Sequence, residues 1–506
     1  MRLFRRNVLG IYAVYAAAMV SGLVVTPIVL HAIGTESFGI WAVIGAITIY
    51  LSVLDFGVGP SIVRFAAEAR GRQAPEDTNA LASVGLALYA AIGLVTLPAG
   101  VGLAWLVPAI VETPAELVWP ARISTLLVVL SIAARFPLGL FNNLLVAQQR
   151  FDVQNLANLV STVLYAVLVA TLIPSGGGLI LLGALTLATT LVRLALPLAW
   201  LRQELPQLRL SRSYVTRARL RELTSFSWSN FLVHVANKVV FSADVLVVAV
   251  LLGAHAATLY AIPAKLFALA FGLGSVGTNL LYPALAEHEG AGEEERQRRL
   301  LLAGLRGGSA AALVLALPLL LVPDQLLEGW VGDGYGESVP VLALLALVAL
   351  FHQPVYLFTQ YLIARGRQRP IARTLIAGVA VNVALSVVLA LTVGIWGVAL
   401  STLVVDLALL LYVVPGLVAP AAATEAATFA RAALRPVLPA LAAALVILVA
   451  FARLAEPDTL LELLPLGVAW LAASALVLWR FGFDDEERAV LFRQLRPGSL
   501  AVADPS

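Results

Sequence analysis

Only two lysines occur in the 506-residue chain, Lys238 and Lys265, and both fall inside long apolar runs, as does Arg135. At 1.5 Å per residue the lysines lie about 13 to 21 Å from the ends of their runs, near the centre of a hydrocarbon layer about 30 Å thick. An ionisable group there costs about 2.5 to 3.5 kcal/mol on insertion scales, and it is kept where it meets a cavity or a partner. Two amines and a guanidinium converging at mid-depth would form a cationic cavity able to compensate an anionic group in low dielectric. Compact ammoniums grip less rigidly than a bidentate guanidinium fork, which suits a site that must also release.

Carboxylates complicate that reading. Asp244 lies at nearly the same depth as Lys265 on a neighbouring run, so a structural ion pair between them competes with a cavity role for Lys265. His234 and Lys238, four residues apart, share one helix face. His352 is also near mid-span. Asp55 precedes Phe56-Gly57-Val58-Gly59-Pro60, a stretch that loosens or kinks a helix, and Arg64 follows it. Asp55 reads equally as part of a gate with Arg64 and as a carboxylate at a helix end. Asp55, Asp244 and Asp406 are the candidates for binding a coupling proton or Na⁺. Asp406, with Ser401 and Thr402 beside it, reads equally as a packing polar group.

The elements that position these residues follow from composition. The chain is 60% apolar and 12% charged, with a mean hydropathy of +0.93. That charge is too little to clothe a soluble protein of this size, so lipid replaces water over most of the surface. The absence of Cys excludes disulfide scaffolds, Cys-zinc sites, iron–sulfur clusters and thiol catalysis. Fourteen runs have spanning length: 9–31, 38–64, 80–110, 117–147, 154–174, 177–201, 225–252, 256–284, 300–323, 339–363, 370–392, 395–418, 432–453 and 461–480. With both termini in the cytoplasm, 26 of the 33 cations fall on the inside and only Arg453 outside. That is the positive-inside asymmetry, and one miscounted span would scramble it. The expected fold class is therefore an all-α polytopic membrane protein of about 14 transmembrane helices. The expected parts are a six-helix bundle over 1–201, a cytoplasmic Arg-rich linker over 202–224, a second six-helix bundle over 225–418, two further helices within 419–480 and a cytoplasmic tail over 481–506.

The halves echo each other. Ile33-Gly34 followed by Phe38-Gly39 and Trp41 matches Leu252-Gly253 followed by Leu259-Tyr260, a Gly turn and then an aromatic residue opening the next span. Six spans is an even number, so the repeats would run parallel. The opening segments TPIVLHAIGTESFGIWAV and YLSVLDFGVGPSIVRFAAEARG resemble the polysaccharide or O-antigen (Wzx-type) lipid-linked oligosaccharide flippases of the MOP (MATE-like) exporter superfamily. LLGAHAATLYAIPAKL and LYPALAEHEG look like the start of that family's second half. The resemblance implies two six-helix bundles around a central cavity, with two added C-terminal helices. It also implies alternating access that carries a polyprenyl-pyrophosphate-linked oligosaccharide across the cytoplasmic membrane. Arg135, Lys238 and Lys265 would then face the pyrophosphate, and Asp55 and Arg64 would form the inner gate. Coupling to H⁺ or Na⁺, membrane lipid as surroundings, and polysaccharide polymerase and glycosyltransferases as partners follow from the same resemblance. A monomer is expected, without cofactor, bound metal or nucleic acid.

Two rivals stay in view. A MATE-like multidrug/cation antiporter would need an apolar or acidic cavity, whereas the mid-span cations make this one basic. A membrane-embedded polymerase or glycosyltransferase would need a large extramembrane loop or an Asp-x-Asp metal motif, and the sequence has neither; nor has it a phosphate loop ending in Gly-Lys-Ser/Thr. No enzymatic activity is expected.

Overall fold

The computed structural model describes residues 2–435, 469–470, 472–474 and 476. The expected spans 432–453 and 461–480 lie largely outside the described residues, as do the side chains of His234 and Lys238. The helices are α1 (Arg2–Ile33), α2 (Thr35–Ser52), α3 (Val58–Gly71), α4 (Pro75–Ile110), α5 (Ala115–Ala147), α6 (Phe151–Leu172), α7 (Gly178–Glu204) and α8 (Arg217–Gly290). They continue as α9 (Glu294–Leu321), α10 (Pro323–Val331), α11 (Ser338–Ala364), α12 (Gln368–Val393), α13 (Ile395–Val413), α14 (Ala419–Ala421) and α15 (Ala426–Leu434). Among the described residues 11 helices are long and apolar enough to cross a membrane. One of them, Ala243–Gly290, is broken at Gly253 and accounts for the outer part of the run 225–252 together with 256–284.

Glycines mark the breaks. Gly34 (φ 80) separates α1 from α2, and Gly253 (φ 85) interrupts α8, so the two glycines matched between the halves both take the left-handed region that a side chain resists. Gly177 and Gly394 open α7 and α13 at equivalent positions in the two halves. The run 38–64 is two helices rather than one. It ends α2 at Ser52, passes through a 3₁₀ turn (Val53–Asp55) and the positive φ of Phe56 and Gly57, and restarts as α3.

The chain divides into two compact units, Met1–Thr258 and Leu259–Ser506. In the first, α5 packs against α4, α7 and α3, while α1 lies on α6. Apolar association gains little in lipid, so close van der Waals fit must hold such helices together. A Cβ on Gly183 of α7 would come within 2.9 Å of Ser124 on α5, and one on Gly100 of α4 within 2.0 Å of Val129 on α5. Ala249, Ala254 and Ala257 of α8 are buried in the core of this unit. The Arg-rich segment after α7 is strapped to the polar end of α4. There the Arg209 N–H donates to Asn79 Oδ1 (2.8 Å), the Ser211 N–H to Ser83 Oγ (3.1 Å), and the Tyr214 hydroxyl to Glu76.

In the second unit α11 packs against α9 and α13, and α12 against α13. Ser338 Oγ at the start of α11 donates to the Leu259 carbonyl (2.7 Å), tying α11 to α8. Trp470 packs on α9 beside Ala310 and Leu313 and donates to the Val314 carbonyl (2.7 Å). At the polar end Arg365 bridges Glu289 and Glu294, each at 3.2 Å, joining α11 to α8 and α9.

Candidate functional site

The break between α2 and α3 exists to turn a carboxylate inward. Asp55, last residue of the 3₁₀ turn, accepts the Tyr89 hydroxyl of α4 on Oδ1 (2.6 Å) and the Gly59 N–H of α3 on Oδ2 (3.3 Å). The second bond satisfies one of the free amides at the start of α3, so Asp55 does serve a helix end. The first ties that end to α4. Asn143 of α5 donates to the same hydroxyl (3.4 Å), and the Tyr89 ring packs 6.0 Å from Phe136 of α5. The close approach needs Gly59, where a Cβ would lie 3.1 Å from the Tyr89 hydroxyl. The described partner of Arg64 is Glu68, one helical turn on (2.9 Å), and its side chain is about half exposed.

Arg135 lies within electrostatic reach of both Asp55 and Arg193 of α7. It is solvent-accessible between the buried Ala133 and Phe136. An accessible guanidinium in the body of a span is tolerated where it faces water or an anion rather than hydrocarbon. The first unit thus holds two cations and one carboxylate in a shared neighbourhood, a net positive charge within the membrane-spanning region. Arg193 reads in the sequence as a cation near the end of its span. Its proximity to Arg135 arises from the packing of α7 on α5, which no spacing reveals. Asp244 is buried (2% exposed) and within electrostatic reach of Tyr50 on α2.

In the second unit Asp406 on α13 meets His352 on α11, with 2.9 Å between His Nδ1 and Asp Oδ2 and side-chain exposures of 14% and 3%. Phe271 of α8 sets its ring against the imidazole (centroids 5.0 Å, near perpendicular), and Gln353 donates to the Gly274 carbonyl (2.8 Å). A polar ladder lies between α12 and α13: Asn382 donates to Thr402 (3.0 Å), and Ser386 shares a hydrogen bond with Ser401 (2.5 Å). Lys265, on α8, is accessible and forms no ion pair among the described residues. Among the described residues no cluster of His, Asp or Glu could hold a metal ion.

The structure therefore brings Arg135 within electrostatic reach of Asp55, and it gives Asp406 a histidine partner. The residues the sequence did not single out are Tyr89, Asn143 and Gln353, neutral polar groups that read as ordinary core in an apolar run.

Ionisable and polar groups buried in two all-helical units define a polytopic membrane protein with the fold of the lipid flippases and multidrug exporters. The lipid II flippase MurJ, in its inward closed conformation, superposes with a TM-score of 0.71 at 14% identity, over 96% of this chain and 99% of MurJ. An inward-facing multidrug resistance MATE family transporter of the MOP superfamily gives a TM-score of 0.64 at 15% identity, over 79% of this chain and 93% of its own. By sequence, residues 4–289 match the family described as Polysaccharide biosynthesis protein, more than half of the chain, and the chain belongs to that family. A relative from Bacillus subtilis (strain 168), the uncharacterized membrane protein EpsK, is 26% identical over 399 residues, covering 74% of this chain and 75% of EpsK.

Proposed function

We propose that the chain is a flippase that moves a polyprenyl-pyrophosphate-linked oligosaccharide across the cytoplasmic membrane during synthesis of cell-surface polysaccharide. The observation that carries this reading is the accessible Arg135 with Arg193 beside it inside the membrane-spanning region, outnumbering their one carboxylate. A pyrophosphate in low dielectric requires such a surplus of positive charge. Membership of the polysaccharide biosynthesis family and the likeness of fold to a lipid II flippase support the same cargo class.

In this reading twelve helices form two bundles, two more follow at the C-terminus, and both termini are cytoplasmic. Arg135, Lys238 and Lys265 contact the pyrophosphate. Alternating access is driven by an ion gradient, and Arg64 exchanges Glu68 for Asp55 when the inner gate shuts. The protein performs no chemical conversion, acts as a monomer in membrane lipid, and hands its cargo from glycosyltransferases to a polymerase. The rival reading, a cation exporter, draws on the likeness to MATE transporters but conflicts with the mid-span cations. Complementation decides between them. Expression in a flippase-deficient strain making the matching glycan should restore surface polysaccharide. Failure with every glycan, together with raised drug resistance, would favour the exporter.

A further inference from the structure

We infer that Arg122, held between Trp105 and Trp119, is a binding site for the phosphodiester of an anionic phospholipid; the inference depends on neither the cargo nor its coupling. The guanidinium carbon of Arg122 on α5 lies 5.1 Å from the ring centroid of Trp105 on α4 and 5.3 Å from that of Trp119 on α5. Trp119 and Arg122, three positions apart, share a helix face, and the packing of α4 on α5 brings Trp105 to them. A cation over an indole is attracted by the ring's quadrupole, which uses none of the N–H donors. Those donors lack acceptors. The Nε of Arg122 is buried without a hydrogen-bond partner, and the terminal Nη groups are accessible and make no hydrogen bond or ion pair among the described residues. Glu112 and Glu116 stand exposed at the same end of these helices, and neither pairs with the guanidinium. An uncompensated cation at the border of hydrocarbon calls for an anion, and the two Nη groups of a guanidinium match two oxygens of a phosphate.

The surface beside the arginine fits the rest of a lipid. On α4 the exposed Leu94, Leu97, Val101 and Trp105 recur at intervals of three and four residues, one continuous apolar stripe, and on α5 Trp119, Ile123 and Leu130 form a second. A short loop joins the two helices, so they run antiparallel and both stripes lead from the tryptophans towards mid-span. Leu94 to Trp105 and Trp119 to Leu130 each cover about 16 Å at 1.5 Å per residue, roughly half of a hydrocarbon layer about 30 Å thick. That is the depth of one leaflet. A site for a free anion needs no such stripe, whereas a headgroup with its acyl chains does. The arginine lies towards the end of α4 opposite Glu76 and Asn79, where the Arg-rich segment is strapped, so the lipid belongs to the leaflet away from that segment. A phospholipid without an ammonium group of its own, such as phosphatidylglycerol, supplies both the acceptors and the countercharge.

Native mass spectrometry of the full chain, titrated in detergent with phosphatidylglycerol, tests the site. Exposed arginines at the other end of the helices also attract anionic lipid, so the quantity read is the lipid bound by wild type and lost in a variant. Arg122→Gln should weaken one phosphatidylglycerol by about tenfold. Trp105→Leu, a change at an exposed position, should weaken the same lipid by less, and it keeps the test open if Arg122→Gln does not fold. Phosphatidylethanolamine, diacylglycerol and inorganic phosphate, each added in equal amount to wild type, should leave that lipid in place. Unchanged phosphatidylglycerol binding in both variants would overturn the proposal, as would its displacement by phosphatidylethanolamine or by inorganic phosphate. Displacement by an equal amount of a polyprenyl pyrophosphate would assign the arginine to the path of the cargo and overturn it too.

Discussion

Tyr89 donates a 2.6 Å hydrogen bond to Asp55, so a neutral phenol on α4 is the group that fixes the broken junction between α2 and α3. The carboxylate keeps its second oxygen on the Gly59 amide, and Arg135 supplies charge compensation at longer range. Removing one partner of a buried hydrogen bond leaves the other's desolvation uncompensated, a cost of about 1 to 3 kcal/mol. Tyr89→Phe should therefore lower the thermal midpoint of the purified protein, and Asp55→Asn, which still accepts, should lower it less. Equal midpoints for wild type and Tyr89→Phe would show that this bond does not hold the junction.

A second prediction separates packing from propensity on one helix. A Cβ at Gly39 of α2 would lie 1.9 Å from the Ala254 carbonyl oxygen, whereas one at Gly45 meets nothing within 4 Å. The first clash is with backbone and cannot be relieved by a rotamer. Gly39→Ala should strip the protein from the membrane fraction. Gly45→Ala should leave abundance unchanged or raise stability by up to about 1 kcal/mol, the propensity gain of Ala over Gly in a helix.

Much of this frame was legible beforehand, because lipid imposes long apolar runs. The paired turns at Gly34 and Gly253 were visible for the same reason: a helix ends where a side chain is not tolerated. The break in 38–64 was half visible, since Gly57, Gly59 and Pro60 announced a weakness without giving its extent. Partnerships were not legible. His352 and Asp406 are 54 positions apart, and each stands out alone as a polar residue in a span. Only the packing of α11 on α13 brings them together. Tyr89 and Asn143 carry no charge, so nothing in their runs distinguishes them from core.

The basic centre yields a third prediction. Arg135→Ala should reduce polysaccharide export by about tenfold or more, equivalent to at least about 1.4 kcal/mol, with the protein still in the membrane. Arg193→Ala should weaken export less, since Arg135 is the more accessible of the two. Lys238→Ala should abolish surface polysaccharide on the same terms. Normal polysaccharide in Arg135→Ala and Lys238→Ala cells, by antibody staining, would remove the cationic centre from the mechanism.

A fourth concerns the polar end of α9. Hydrogen bonds from Arg296, and then from His288, hold the Glu293 carboxyl below its ordinary value of 4.5. A depressed folded-state value stabilises the fold fully above the unfolded value, and that contribution is lost as pH falls through the folded one. The midpoint difference between wild type and Glu293→Gln should thus be present at neutral pH and fade on acidification below the ordinary carboxylate range; it should be small, because the group is exposed. A difference that grows on acidification would reverse the sign of this account.

Translocation itself is the most direct test. Proteoliposomes holding a labelled polyprenyl-pyrophosphate oligosaccharide in both leaflets are treated from outside with an impermeant glycosidase. With the wild-type chain the inner-leaflet share should become accessible, while protein-free vesicles and Arg135→Ala should keep it protected. Protection in wild-type vesicles, alongside export of a cationic dye from the same preparation, would contradict the flippase reading.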